Sequence, residues 1–212
     1  MKILFYGDSI TDMGRNREVP DGNVASYGSG YPIFVSEKLF ESDPLKYTIV
    51  NRGISGNRIV DLYARIKADV WNHEPDVLSI LIGINDIWHE IGAKNGVDLA
   101  RYERVYDMLL SDTKERFPDM KIILMEPFVL KGSATEENMD TFKQVYSYAK
   151  VVKKLADKYG AYFLPLQKTL DEASEKYGVA PYLFDGVHPD IAGAGLIARE
   201  WVKLFKEKVE DQ

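Results

Sequence analysis

Lys2-Ile3-Leu4-Phe5-Tyr6-Gly7-Asp8-Ser9-Ile10 decides how the rest of the chain is read. Residues 2–6 form a short, almost unbroken apolar run closed by a glycine, the pattern of a buried strand. Asp8 and Ser9 follow at its carboxyl end. In open α/β sheets that end borders the crevice where ligands bind. A Gly-Asp-Ser tripeptide alone is an ordinary turn; its meaning depends on what lies downstream.

Four further strand-like runs follow, at residues 47–51, 77–82, 121–125 and 162–166. The run at 77–82 is almost wholly apolar, which suits a central strand covered on both faces. Between the runs, apolar residues recur at helical spacing over 32–40, 59–72, 98–117, 142–159, 170–177 and 191–208. The cleanest stripe is Phe142, Val145, Ala149, Val152, Ala156 and Tyr159, stopped by Gly160. In the last helix Ile191, Ala194, Ile197, Trp201, Leu204 and Phe205 share one side. Residues 16–30 read as a glycine-bearing loop, and 128–140 as a long polar loop, a lid or an interface. Strands alternating with helices predict a five-stranded parallel sheet in a three-layer α/β/α sandwich. No repeat or linker divides it, so residues 1–212 read as one domain.

The net charge of −6 and the absence of any basic run longer than a pair argue against nucleic-acid binding. No run approaches the ~20 apolar residues of a membrane-spanning helix. After Met1-Lys2 the apolar stretch is too short for a signal peptide. The chain has no cysteine, which excludes disulfides and thiolate sites and fits a reducing cytoplasm. No His-Glu-x-x-His or comparable ligand spacing occurs, so neither a metal nor another cofactor is expected.

Loops that follow parallel strands emerge at one sheet edge. Gly7-Asp8-Ser9, the block 51–56 (Asn-Arg-Gly-Ile-Ser-Gly) and Gly83-Ile84-Asn85-Asp86 all follow strands, and Asp185-Gly186-Val187-His188-Pro189 precedes the last helix. Acyl transfer needs a nucleophile, a base, an orienter for that base, and donors for the oxyanion. Ser9 is the candidate nucleophile and His188 the candidate base. Asp185, three residues earlier, can reach the imidazole Nδ1–H and turn Nε2 toward Ser9. The backbone N–H groups of Ser9 and Gly56 and the side-chain amide of Asn85 are candidate oxyanion donors.

These four blocks, in this order across the chain, resemble the SGNH (GDSL-type) hydrolases. The resemblance implies a flavodoxin-like fold, ester hydrolysis, and these roles for Ser9, Gly56, Asn85, Asp185 and His188. The stretches at 7–12, 50–57, 82–88 and 185–189 are similar to those of bacterial SGNH acetylxylan esterases. That likeness implies an acetylated saccharide substrate, xylan-derived oligosaccharides, and assembly into homo-oligomers. A short-chain thioesterase or lysophospholipase would use the same residues. A non-catalytic carbohydrate-binding protein on the same fold is the further alternative.

Trp88 and Tyr182 are the candidate substrate-binding aromatics. Asp8 and Asp86 read as structural acceptors in their turns. Of the three histidines, His73 reads as a solvated residue at a helix end, and His89 as either a wall of the site or an exposed loop residue.

Overall fold

The computed structural model describes residues 1–210. In chain order it contains β1 (Lys2–Gly7), α1 (Ser9–Asp12), α2 (Tyr31–Ser42), β2 (Thr48–Gly53), α3 (Ile59–Asp69), β3 (Val77–Leu81) and α4 (Ile84–Ala93). There follow α5 (Leu99–Arg116), β4 (Lys121–Met125), α6 (Met139–Phe142), α7 (Val145–Tyr159), β5 (Tyr162–Leu164), α8 (Gln167–Tyr177) and α9 (Ile191–Leu204). All strands pair in parallel, in the order β2-β1-β3-β4-β5. Helices α2 and α9 pack together, while α3, α5 and α7 form the other layer. The expected three-layer α/β/α sandwich is present.

The sheet is apolar because its central strands are covered on both sides. Every residue of β3, and residues 3–7 of β1, are buried. The chain runs from β1 outward to β2 and then crosses back to β3 on the other side of β1. That reversal opens a crevice at the carboxyl ends of β1 and β3, the topological switch point. Gly7 stands level with Gly53 on one side and with Leu81 on the other. Ser9, Gly56 and Asn85 each lie a few residues beyond this common line. Among the described residues, no helix is long and apolar enough to cross a membrane.

Three segments differ from the sequence reading. Residues 84–93, read as a turn and loop, form helix α4. It starts from Gly83 at φ +142°, without a Ser, Thr or Asp cap to announce it. The segment after β4 is not polar throughout, since Phe128, Val129 and Leu130 are buried. It ends in the short helix α6, set off from α7 by Lys143 and Gln144. In α9, Ile191 occupies the first position and is 73 % exposed, outside the apolar stripe in which the periodicity placed it.

Candidate active site

Ser9 opens α1 at the end of β1, and Asp8 caps that single turn by accepting the Ile10 N–H (2.9 Å). The amides of Thr11 and Asp12 bond to the Asp8 carbonyl. The Ser9 N–H is the one amide of this turn with no acceptor among the described residues. The loop after β2 repeats the arrangement. Gly53 N–H donates to Asn51 Oδ1, Ile54 to the Gly7 carbonyl, Ser55 to Asp12 Oδ2 and Asn57 to the Ile54 carbonyl. In this loop Gly56 alone has an amide with no acceptor among the described residues, and its φ of +81° lies where a side chain would be strained. Two independent segments thus each leave one N–H free.

Asn85 sits in the first turn of α4, 6 % exposed, and its Nδ2 donates one hydrogen to the Asn57 carbonyl (3.1 Å). The second amide hydrogen is left for another acceptor. Asp86 beside it is buried and accepts the Ile59 N–H, tying α4 to the start of α3. Burial pushes its carboxyl well above the usual range.

His188 brings Nε2 to 2.8 Å from Ser9 Oγ, while its Nδ1 lies 2.7 Å from Asp185 Oδ2. The other Asp185 oxygen accepts the backbone N–H groups of Val187 and His188 at 2.9 and 2.8 Å. Burial opposes ionisation of Asp185, but the bonds from His188 and Val187 prevail and hold its pKa below the ordinary carboxylate value. His188 responds in the opposite sense: the bond to Asp185 raises its pKa against the pull of burial. The two shifts agree on an ionised carboxylate that favours imidazolium.

Asp8 is the second carboxylate near the imidazole, and it is wholly buried. Burial pushes its pKa up to about 7, against the Ile10 N–H and the His188 charge, which lower it. Its Oδ2 has no hydrogen-bond partner among the described residues. The structural reading of Asp8 holds for one oxygen, the cap, and leaves the other unexplained.

Two aromatic rings flank the imidazole. Trp88, braced edge-on by Phe142 at 5.5 Å, stands 5.9 Å from the His188 ring. Phe184 stacks on it at 5.7 Å and 17°, and is 52 % exposed. Tyr182, expected to line the site, packs on the core and makes no ring contact with His188 or Trp88 among the described residues. The ring that stands against the imidazole beside Trp88 is instead that of Phe184. Leu183 is buried and pairs with Pro189 in an isolated bridge.

His89 lies against the loop that holds Gly56: a Cβ added at Gly56 would be 3.9 Å from its Cε1. His73 is half-buried rather than solvated, with Nε2 at 3.1 and 3.3 Å from the Arg52 guanidinium. Among the described residues no group of three or more His, Asp or Glu side chains is placed to hold a metal ion.

The GDSL-like lipase/acylhydrolase family model matches residues 5–196. An acetylxylan esterase of Geobacillus stearothermophilus is 38 % identical over 208 residues, covering 95 % of this chain and 92 % of the relative. A crystal structure of that organism's acetylxylan esterase superposes with a TM-score of 0.84 at 36 % identity, over 95 % of this chain and 92 % of the other. A GDSL-like protein of Parabacteroides merdae superposes with a TM-score of 0.92 at 38 % identity, over 98 % and 96 % of the two chains. Fold, site and relatives agree that this chain belongs to the GDSL-like lipase/acylhydrolase family.

Proposed function

We propose that the protein is a serine esterase that removes acetyl groups from a carbohydrate, with acetylated xylo-oligosaccharides as the substrate class. The carrying observation is the line Asp185–His188–Ser9 placed beside a serine amide that has no acceptor among the described residues. Ser9 Oγ attacks the acetyl carbonyl carbon as its proton passes to His188 Nε2. The carbonyl electron pair moves onto oxygen, where Ser9 N–H, Gly56 N–H and Asn85 Nδ2 receive it. Collapse breaks the ester C–O bond, and His188 returns the proton to the departing sugar oxygen. Water then attacks acetyl-Ser9 by the same route, releasing acetate and restoring Ser9.

Each oxyanion donor of this kind is typically worth about 3–4 kcal/mol of transition-state stabilisation. Trp88 and Phe184 supply the apolar faces against which a sugar ring can rest beside His188. The carbohydrate assignment is supported by the acetylxylan esterase relative, which matches along nearly the whole chain. Assembly into homo-oligomers belongs to the same proposal and is read directly by light scattering on the purified chain.

The test is hydrolysis of p-nitrophenyl esters from acetate to decanoate, followed by acetate release from acetylated xylo-oligosaccharides. Activity falling steeply beyond acetate, with release from the oligosaccharides, is the expected result. Activity rising toward the longer chains would overturn the carbohydrate reading in favour of a lysophospholipase or thioesterase.

A further inference from the structure

One arginine outside the triad is bonded to the two segments that lead to Ser9 and Gly56, and through Asn57 it reaches the partner of Asn85. Arg65 lies on α3, half-buried, with its guanidinium stacked 4.4 Å over the ring of Tyr6 in β1. Nη2 donates to the Gly7 carbonyl (3.1 Å), Nη1 to the Arg52 carbonyl (2.9 Å), and Nε to Asn57 Oδ1 (2.7 Å). Nη1 also pairs with Asp69, one turn further along α3. The Tyr6 hydroxyl bonds the Leu62 carbonyl (2.6 Å), which locks the ring beneath the guanidinium.

The acceptors are what matter. Gly7 leads directly into Asp8 and Ser9, and its carbonyl also receives the Ile54 N–H. Arg52 and Asn57 bracket the loop that holds Gly56. The Asn57 carbonyl receives Asn85 Nδ2. We propose that Arg65 is a positioning residue of the oxyanion hole, setting the mutual spacing of Ser9 N–H, Gly56 N–H and Asn85 Nδ2.

Oxyanion donors must lie about 2.7–3.1 Å from the place the oxygen will occupy in the transition state. Here they come from three separate segments, so their convergence depends on whatever fixes those segments to one another. A guanidinium suits that role because it is planar, always charged, and carries its N–H groups in a rigid fork. Lysine offers a compact point charge on a flexible stem and cannot hold three acceptors at set angles. A residue that merely braced the fold would affect stability without distinguishing substrate from transition state. One that sets the donors affects the transition state selectively.

The inference rests on the serine-esterase reading, and the experiment separates the two. Arg65→Lys is compared with the parent for kcat and KM on p-nitrophenyl acetate, for the dissociation constant of methylboronic acid, and for thermal midpoint. Methylboronic acid adds to a serine as a tetrahedral adduct whose oxygen reports on the oxyanion donors. The expected result is a fall in kcat of roughly 10–100-fold with KM nearly unchanged, and a loss of methylboronic acid affinity in step with kcat. A folded Arg65→Lys with kcat within about threefold of the parent overturns the inference, as does a loss confined to KM with boronate affinity intact.

Should Arg65→Lys not fold, Asn57→Ala removes one clasped acceptor and leaves Arg65 its other bonds. It should lower kcat roughly 3–10-fold, in the same sense, and an unchanged kcat overturns the inference. Where both fold, the double variant should lose less than the product of the two single losses, because the pair acts as one unit. A parent that neither hydrolyses p-nitrophenyl acetate nor binds methylboronic acid overturns the esterase reading together with this one. An active parent with an indifferent Arg65→Lys overturns this one alone.

Discussion

The two halves of the site are held in different ways. The Ser9 side is built into the sheet: Gly7 pairs with both neighbouring strands, and four of the five amides from Gly53 to Asn57 are bonded. Asp12 adds a second tie, accepting the backbone N–H and hydroxyl of Ser55 and a bond from Arg17. The His188 side has no strand beneath it. Its loop hangs on a neighbouring loop, with Leu130 N–H bonded to the Gly186 carbonyl (2.8 Å) and Ala134 N–H to the Asp185 carbonyl (3.0 Å). Gln167 clamps that support from behind, bonding both backbone groups of Val129. The proposed nucleophile and oxyanion donors thus belong to the sheet and its first turns, whereas the proposed base is carried on an outer layer of loops.

The chemistry of the two carboxylates follows the same division. On the sheet side Asp8 is sealed from water, and burial brings its pKa to about 7. On the loop side Asp185 is partly open and hydrogen-bonded at both oxygens, and its pKa is held low. Burial thus makes Asp8 the carboxylate more ready to hold a proton, while its hydrogen bonds keep Asp185 the more ready to ionise.

The largest effect is expected on the rigid side. Ser9→Ala should abolish turnover, a loss of at least ~10⁴-fold, with the thermal midpoint close to that of the parent. Ester hydrolysis that survives the substitution would remove Ser9 as nucleophile and dissolve the contrast between the halves.

Asp185→Asn tests the loop side and should cost somewhat less than His188→Ala, since the orienter is the less costly member to lose. Its sharper signature is in the pH profile. His188 acts as a base only when neutral, and Asp185 raises its pKa above the ordinary value of about 6.5. Activity in the parent should therefore rise with pH through a point above that value. Without the carboxylate, burial still opposes the imidazolium, so the rising limb should move to lower pH. A limb that stays in place, or moves up, would mean that another group governs His188.

Asn85→Ala returns to the rigid side and should lower kcat by roughly 10²–10³-fold, since it removes one oxyanion donor. KM should change little. A loss carried by KM instead would make Asn85 a contact to the substrate rather than to its transition state.

The same contrast explains what the sequence revealed. The β1 run with Gly7-Asp8-Ser9 was legible because strand, glycine and serine are contiguous, and the loop with Gly56 follows its strand just as directly. Asp185 and His188 were legible as a pair through their spacing. What supports them was not: Leu130, Ala134 and Gln167 are distant in sequence, and backbone-to-backbone bonds leave no mark on residue choice. The burial of Phe128–Leu130 was not legible either, because three apolar residues beside a polar tract are too few to show a period. Helix α4 stayed hidden because its cap is a glycine and its buried residues, Ile84 to Ile87, are consecutive. Nothing in the sequence singles out Arg65, and only the folded chain brings it to Gly7 and Asn57.

If the base rests on its supporting loop, disturbing that loop should weaken catalysis without touching any catalytic atom. Thr135 is the place to do so. It is wholly buried, its hydroxyl donates to the Leu130 carbonyl (2.6 Å) and accepts the Gly132 N–H (2.8 Å), and it thereby closes the turn that meets Asp185 and Gly186. Thr135→Val keeps the shape and leaves both partners unsatisfied, at a cost of about 1–3 kcal/mol in stability. The expected loss in kcat is a few-fold, the smallest of the series, because Asp185 keeps its own bonds to Val187 and His188. Urea unfolding and steady-state kinetics on the same preparation measure both quantities. A full loss of stability with unchanged kcat would show that the Asp185–His188 loop holds its geometry unaided.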